Sequence, residues 1–109
     1  MSNLTAVTDS NFATNVEALS HTKPVLVDFW ADWCGPCRQL SPILDQLKAE
    51  HGESIEFVAL DADANPATTN AARVTGLPTL NLYVNGEVVK SITGARPKAA
   101  LLKEFADYL

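Results

Sequence analysis

Apolar and polar positions along this chain fall into short blocks, and the period changes from one block to the next. Leu4 to Val7 is a short strand candidate. Asp9 stands as a helix cap before a run from about Ser10 to Leu19, whose apolar residues Phe12, Val16 and Leu19 share one face. Pro24 then opens Val25-Leu26-Val27-Asp28-Phe29-Trp30, which reads as a strand buried on both faces and therefore central. A longer helix is predicted from near Cys34 to about Glu50. Its core stripe is Leu40, Ile43, Leu44 and Leu47, with Gly52 as its stop. Pro42 lies inside it and predicts a kink.

Ile55 to Asp61 reads as the next strand. Asn65-Pro66 starts a short helix to about Arg73, since proline is tolerated at the first helical position. Thr79 to Val84 and Glu87 to Thr93 flank Asn85-Gly86, a strong signal for a tight antiparallel hairpin. Pro97 to Leu109 closes the chain as a helix with Leu101, Leu102 and Phe105 inward. The order is βαβαβαββα. Strand–helix–strand units imply parallel pairing with right-handed crossovers, and the hairpin adds an antiparallel edge. The expected fold is α/β, a mixed sheet with helices on both faces, in one domain over residues 1–109.

Composition narrows the function. Hydrophobic residues make up 47% of the 109, so a core is available, and two cysteines are too few to staple a scaffold. A net charge of −5 and a pI of about 4.8 argue against nucleic acid and anionic membranes as partners. Met1 to Asn11 lacks the pattern of a signal peptide, and no apolar stretch approaches the ~20 residues of a membrane span. The expectation is a cytoplasmic monomer. In that compartment thiols stay reduced, and a cysteine pair is more often catalytic or metal-binding than structural.

Both cysteines lie in Trp33-Cys34-Gly35-Pro36-Cys37, between the central strand and the long helix. Two thiols at that spacing can close a small disulfide ring and reopen it, which stores two electrons. A thiolate is the nucleophile in such exchange. Cys34 sits where the helix begins, so unpaired N–H groups and the helix dipole favour its charged form. Cys37 lies about one turn on, on the same face and deeper. These positions predict an accessible Cys34 that attacks a substrate disulfide, and a Cys37 that resolves the mixed disulfide. Gly35 lets another backbone approach, and Pro36 stiffens the turn and removes a donor. The alternatives are half a zinc site and a static bridge. Zinc usually takes four Cys or His ligands, and only His21 and His51 remain, neither at ligand spacing and both read as solvated. A bridge over so short a loop constrains little of the unfolded chain.

Asp28 is a carboxyl inside an apolar strand, six residues before Cys34. Burial there should raise its pKa. A near-neutral acid close to Cys37 can take that thiol's proton and return it on the reverse step. The alternative is a solvent-facing or lysine-paired Asp28. Thr75-Gly76-Leu77-Pro78-Thr79 marks a sharp turn before a strand, and its X–Pro bond is one that can be cis. Beside the dithiol, its free backbone groups would pair with an extended substrate; otherwise it is an ordinary connection. Trp33 is expected to be partly exposed, and Trp30, Phe29 and Tyr83 to pack in or near the core.

With these residues in view the chain resembles the bacterial thioredoxin family from about Leu4 to Leu109. Val27-Asp28-Phe29-Trp30-Ala31 with Trp33-Cys34-Gly35-Pro36-Cys37 matches its signature block. Asp63, Asn65-Pro66, Gly76-Leu77-Pro78-Thr79, Asn85-Gly86 and Gly94 follow in the expected order. Thioredoxin is itself the usual example of such a cysteine pair. The resemblance implies four helices and five strands. It implies a protein disulfide reductase and electron carrier with no bound cofactor, recharged by an NADPH-dependent flavin enzyme, thioredoxin reductase. It supports the roles of Cys34, Cys37 and Asp28 and a cis Leu77-Pro78 bond. It places Trp33, Gly35, Pro36, Gly76, Leu77, Pro78, Thr93, Gly94 and Ala95 around a groove for disulfide-containing proteins.

Three positions depart from the family pattern. Ala59 stands where many members have a lysine, which should push the Asp28 pKa further up. Asn81 replaces a usual apolar residue, and Arg38 replaces a common lysine and keeps its charge. Oxidases and isomerases of the same fold usually carry other residues in the ring, often a histidine, and an export signal. A binding module that uses the groove as a scaffold is the reading from outside redox chemistry.

Overall fold

The computed structural model describes residues 2–109, and its strands form one sheet. They are β1 (Thr5–Ala6), β2 (Val25–Trp30), β3 (Glu56–Asp61), β4 (Thr79–Val84) and β5 (Glu87–Thr93), in the order β1-β3-β2-β4-β5. β1 and β2 run parallel to β3, while β4 runs antiparallel to β2 and β5. β2 is central, as its unbroken apolar character predicts, and Val25 through Phe29 are all buried.

Side chains alternate across the sheet with period two. Leu26, Phe57, Leu80 and Leu82 point to one face. There they meet Leu40, Leu44 and Leu47 of helix α1 (Gly35–His51), and Leu101 and Phe105 from the C-terminal end. Val25, Val27, Phe29, Val58, Leu60 and Tyr83 point to the other face, against Phe12 and Val16. Leu26, Leu40, Leu44, Leu80 and Leu82 are almost fully buried, and each such leucine stabilises the fold by about 2 kcal/mol. Asp28 falls on the α1 face by the same alternation.

Several elements differ from the expectation. The first helical segment is a wide helix over Ala13–Ala18 that tightens into a 3-10 turn at Leu19–His21, and no side chain caps its start. Asp9 caps a different helix, α2 (Pro66–Ala71). Its carboxylate accepts from the N–H of Thr68 at 2.8 Å and of Ala67 at 3.3 Å. The first N–H groups of a helix lack internal partners and attract an anion, so the carboxylate goes to that end. Hydrogen bonds from Thr68 hold the Asp9 carboxyl below its ordinary range. Asn65 returns the contact by accepting from the Asp9 N–H at 2.9 Å.

α2 ends at Ala71 rather than Arg73, because Arg73 takes a positive φ of 58°, the position where glycine commonly ends a helix. The last helix, α3 (Lys98–Glu104), breaks at Phe105 and continues as a short turn, Ala106–Tyr108. The β4–β5 hairpin turns on Asn85 and Gly86, both at positive φ, as that dipeptide predicts. Its tip is tied to the first helical segment: the Gly86 N–H donates to Ser20 Oγ at 2.7 Å.

A candidate redox site at the head of α1

β2 delivers the chain to Ala31, and a short loop carries it to Cys34, the residue that caps α1. Cys34 is extended (φ −89°, ψ 102°), and its N–H donates to the Ala31 carbonyl at 3.1 Å. Gly35 and Pro36 form the first helical turn, where proline's missing N–H leaves no helix bond unmade. Cys34 and Cys37 are joined as a disulfide with their Cα atoms 5.3 Å apart. The Cys37 N–H donates to Cys34 Sγ at 3.1 Å. Cys34 sulfur therefore sits on the positive end of α1, with a backbone donor aimed at it. A thiolate there is stabilised by both.

The expected accessibility of Cys34 needs correction. Cys34 is only 3% exposed and Cys37 2%, so exposure does not tell them apart in the disulfide form. Both pack with Ala31, and Trp30 and Leu77, the latter from the turn before β4, pack against them. The asymmetry between the sulfurs is electrostatic: Cys34 is the cap and the acceptor. Trp33 stands out beside them at 68% exposure, with its indole N–H donating to Asp63 at 2.8 Å.

The turn beside the dithiol is drawn together by contacts across the β4–β5 pair. The Leu77-Pro78 peptide bond is cis. The Pro78 carbonyl accepts from the Gly94 N–H at 2.8 Å, and Thr79 Oγ1 reaches the Gly76 carbonyl at 2.6 Å. A Cβ on Gly76 would sit 3.1 Å from the Thr93 methyl, so the close approach of Thr93 favours glycine there. Gly94 takes φ 97°, and Ala95 after it is exposed. The structure thus gathers Gly76, Leu77, Pro78, Thr93 and Gly94 at one turn, and Leu77 packs against Cys34 and Cys37. Thr75 and Leu77 make no backbone hydrogen bond among the described residues. Trp33, Asp63, Thr75, Gly76 and Leu77 line a shallow cavity of about 240 Å³. Gly35 opens onto free space.

Asp28 is 5% exposed and lies between Ala59 of β3 and Leu80 of β4 in the sheet register. Its neighbours in the sheet are apolar and no lysine pairs with it. Burial alone pushes its carboxyl up to about 7. Its Oδ1 has no hydrogen-bond partner among the described residues. Ala59 therefore occupies the place from which a cation would have stabilised the carboxylate.

The other departures also find their places. Asn81 is buried on the opposite face, where Ser91 donates to its Oδ1 at 2.6 Å. Arg38 is exposed, and its guanidinium donates to the Asp32 carbonyl in the loop before Cys34. His21 is exposed and His51 half-buried at the two helix ends. Among the described residues no three His, Cys, Asp or Glu side chains gather where they could hold a metal. Asp63 as the partner of Trp33 and Ser41 as a buried hydroxyl were not singled out from sequence. The Asp61-x-Asp63 spacing was the only signal for the first: Asp61 accepts from the Asp63 N–H at 3.0 Å and shapes that loop.

Comparison with known proteins agrees with this geometry. The thioredoxin family model matches residues 3–107. A thioredoxin of Streptomyces clavuligerus is 58% identical over 97 residues, covering 89% of this chain and 88% of that protein. A thioredoxin of Mycolicibacterium smegmatis is 49% identical over 106 residues, covering 95% and 93%. A bifunctional thioredoxin reductase/thioredoxin of Mycobacterium leprae is 45% identical over 101 residues, which is 93% of this chain and 22% of that one. The disulfide at the helix head, the turn packed on it and these matches agree: the chain belongs to the thioredoxin family and is an oxidoreductase acting through the Cys34–Cys37 disulfide.

Proposed function

We propose that the reduced protein opens disulfides in other proteins, with Cys34 as nucleophile, Cys37 as resolving thiol and Asp28 as the buried acid–base. The observation that carries this is the Cys37 N–H aimed at Cys34 Sγ on the head of α1. Cys34 thiolate attacks one sulfur of the target disulfide. A Cys34–target bond forms, and the other target sulfur leaves as a thiolate. Asp28 carboxylate then takes the proton from the Cys37 thiol. Cys37 attacks Cys34 sulfur, the Cys34–Cys37 bond forms, and the second target sulfur departs. The target gains two electrons and the protein loses two. Gly35 and Pro36 shape the ring, and Trp33, Gly76, Leu77, Pro78, Thr93, Gly94 and Ala95 form the docking groove. The unpaired peptide groups of Thr75 and Leu77 suit an extended target segment, which pairs through its backbone.

Recharging by a thioredoxin reductase, with electrons from NADPH through its flavin, is supported by the Mycobacterium leprae relative, whose name joins both activities in one chain. Among the described residues no helix is long and apolar enough to cross a membrane. The acidic balance supports a chain without nucleic acid or anionic membrane partners, and our reading is a cytoplasmic monomer working as one domain over residues 1–109. Mixing the protein with NADPH, a bacterial thioredoxin reductase and insulin tests the reading. One NADPH should be consumed per insulin disulfide opened. NADPH consumption no faster than without the protein would overturn it.

A further inference from the structure

Trp33, Asp63 and Leu77 line the shallow cavity of the candidate site, and Asp63 holds the Trp33 indole N–H there. Ala62, Asp63 and Ala64 form a turn between β3 and α2, so neither a strand ladder nor a helix fixes Asp63. The turn is set by side chains at its two ends. Asp61 Oδ1 accepts from the N–H of Asp63 at 3.0 Å and of Ala64 at 3.4 Å. Asn65 Nδ2 donates to the Asp61 carbonyl at 3.0 Å, and the Asn65 N–H donates to the same oxygen at 3.0 Å. Asn65 is itself anchored. It is 8% exposed, its Oδ1 accepts from the Asp9 N–H, and its carbonyl accepts from Thr69 Oγ1 at 2.8 Å. A buried amide with both polar atoms bonded is costly to move, so it gives the turn one shape. That shape has a use. Trp33 is exposed, and a large side chain free in solvent loses rotamer freedom when a target orders it. Held by Asp63, it has given up that freedom before the target arrives.

We propose that Asn65 is a positioning residue for target docking: it fixes the Asp61–Asn65 turn so that Asp63 holds the Trp33 indole in place at the groove. This rests on the reading of Trp33 as part of that groove. The hydrogen bonds run from Asn65 to Asp61, from Asp61 to Asp63 and from Asp63 to Trp33. A change at Asn65 therefore reaches the groove through residues other than Cys34, Cys37 and Asp28. A protein target, which docks along the groove, feels the change. A small disulfide, which needs only the Cys34 thiolate, does not.

The test compares Asn65→Ala, Asn65→Asp, Asp63→Ala and Trp33→Ala with the parent. Asn65→Asp keeps the acceptor for the Asp9 N–H and removes the donor to Asp61, so it is the milder change. Each reduced protein is mixed with insulin and, separately, with a symmetric nitrothiobenzoate disulfide. Hydrogen exchange of the Trp33 indole N–H is followed in parallel by nitrogen-15 NMR. Both Asn65 variants should open insulin about fivefold more slowly, open the small disulfide at the parent rate, and exchange the Trp33 indole N–H faster. Asp63→Ala should slow insulin to the same degree. The double variant Asn65→Ala/Asp63→Ala should be no slower than either alone, because both changes release the same hold. Unchanged indole exchange in the Asn65 variants overturns the inference. So does equal slowing with both disulfides, which marks general loss of structure, and so do additive losses in the double variant. Unchanged insulin opening by Trp33→Ala overturns the groove reading of Trp33 itself, and the role of Asn65 with it.

Discussion

A Cys37→Ser variant is expected to stall on its target as a stable mixed disulfide through Cys34, while Cys34→Ser should not react at all. The two outcomes follow from the position of each sulfur. Cys34 caps α1 and accepts from the Cys37 N–H, so its thiolate is the stabilised one and makes the first bond. That N–H belongs to the backbone, so Cys37→Ser leaves the nucleophile intact and removes only the resolving thiol. Serine at position 34 keeps the shape but is scarcely ionised near neutral pH and forms no disulfide. Turnover should fall by about a thousandfold or more in both variants. Only the Cys37→Ser protein should gain the mass of its target on a non-reducing gel. A stable target adduct on Cys34→Ser, with none on Cys37→Ser, would reverse the assignment.

The second large effect is on stability against pH. Burial raises the Asp28 carboxyl to about 7 in the folded disulfide form, whereas in the unfolded chain it titrates at about 3.9. At pH 3 it is protonated in both states, and its titration contributes nothing to the stability. Between about pH 4 and 7 the unfolded chain releases this proton while the native protein keeps it, so stability falls as pH rises. Above pH 7 both states are ionised and the full difference, about 4 kcal/mol, has been lost. Asp28→Asn removes the titration. Against the parent, it should gain up to about 4 kcal/mol between pH 3 and pH 9, read from urea midpoints of the oxidised proteins. A difference between variant and parent that stays constant across that range would contradict a buried, unpaired Asp28.

Much of this was legible because the signals were local. Val25 to Trp30 is apolar without a break, and only a strand covered on both faces requires that. Asn85-Gly86 specifies its turn through backbone conformations that few residues take. The spacing of Cys34 and Cys37 fixes one turn of helix between them. The unread parts depend on contacts between distant segments. Asp9 has the chemistry of a cap, but the helix it serves begins at Pro66, more than fifty residues on. Cys34 looked accessible because part of its packing comes from Leu77, more than forty residues on. Asp28 drew notice for its charge in an apolar strand. Its isolation depends on register, which sets Ala59 and Leu80 on either side. Ser41 gave no signal, since a serine in a helix is unremarkable until its usual acceptor is seen to go unused.

The most direct measurement is the equilibrium reduction potential of Cys34–Cys37, followed by tryptophan fluorescence in graded thiol buffers, with Trp33 beside the pair and Trp30 packed against it. A disulfide reductase needs a pair that gives its electrons away. The predicted result is a single reversible transition at a potential well below that of the glutathione pool. A potential well above that pool would contradict it and make the protein a donor of disulfides. No transition at all would leave only a binding role for the groove.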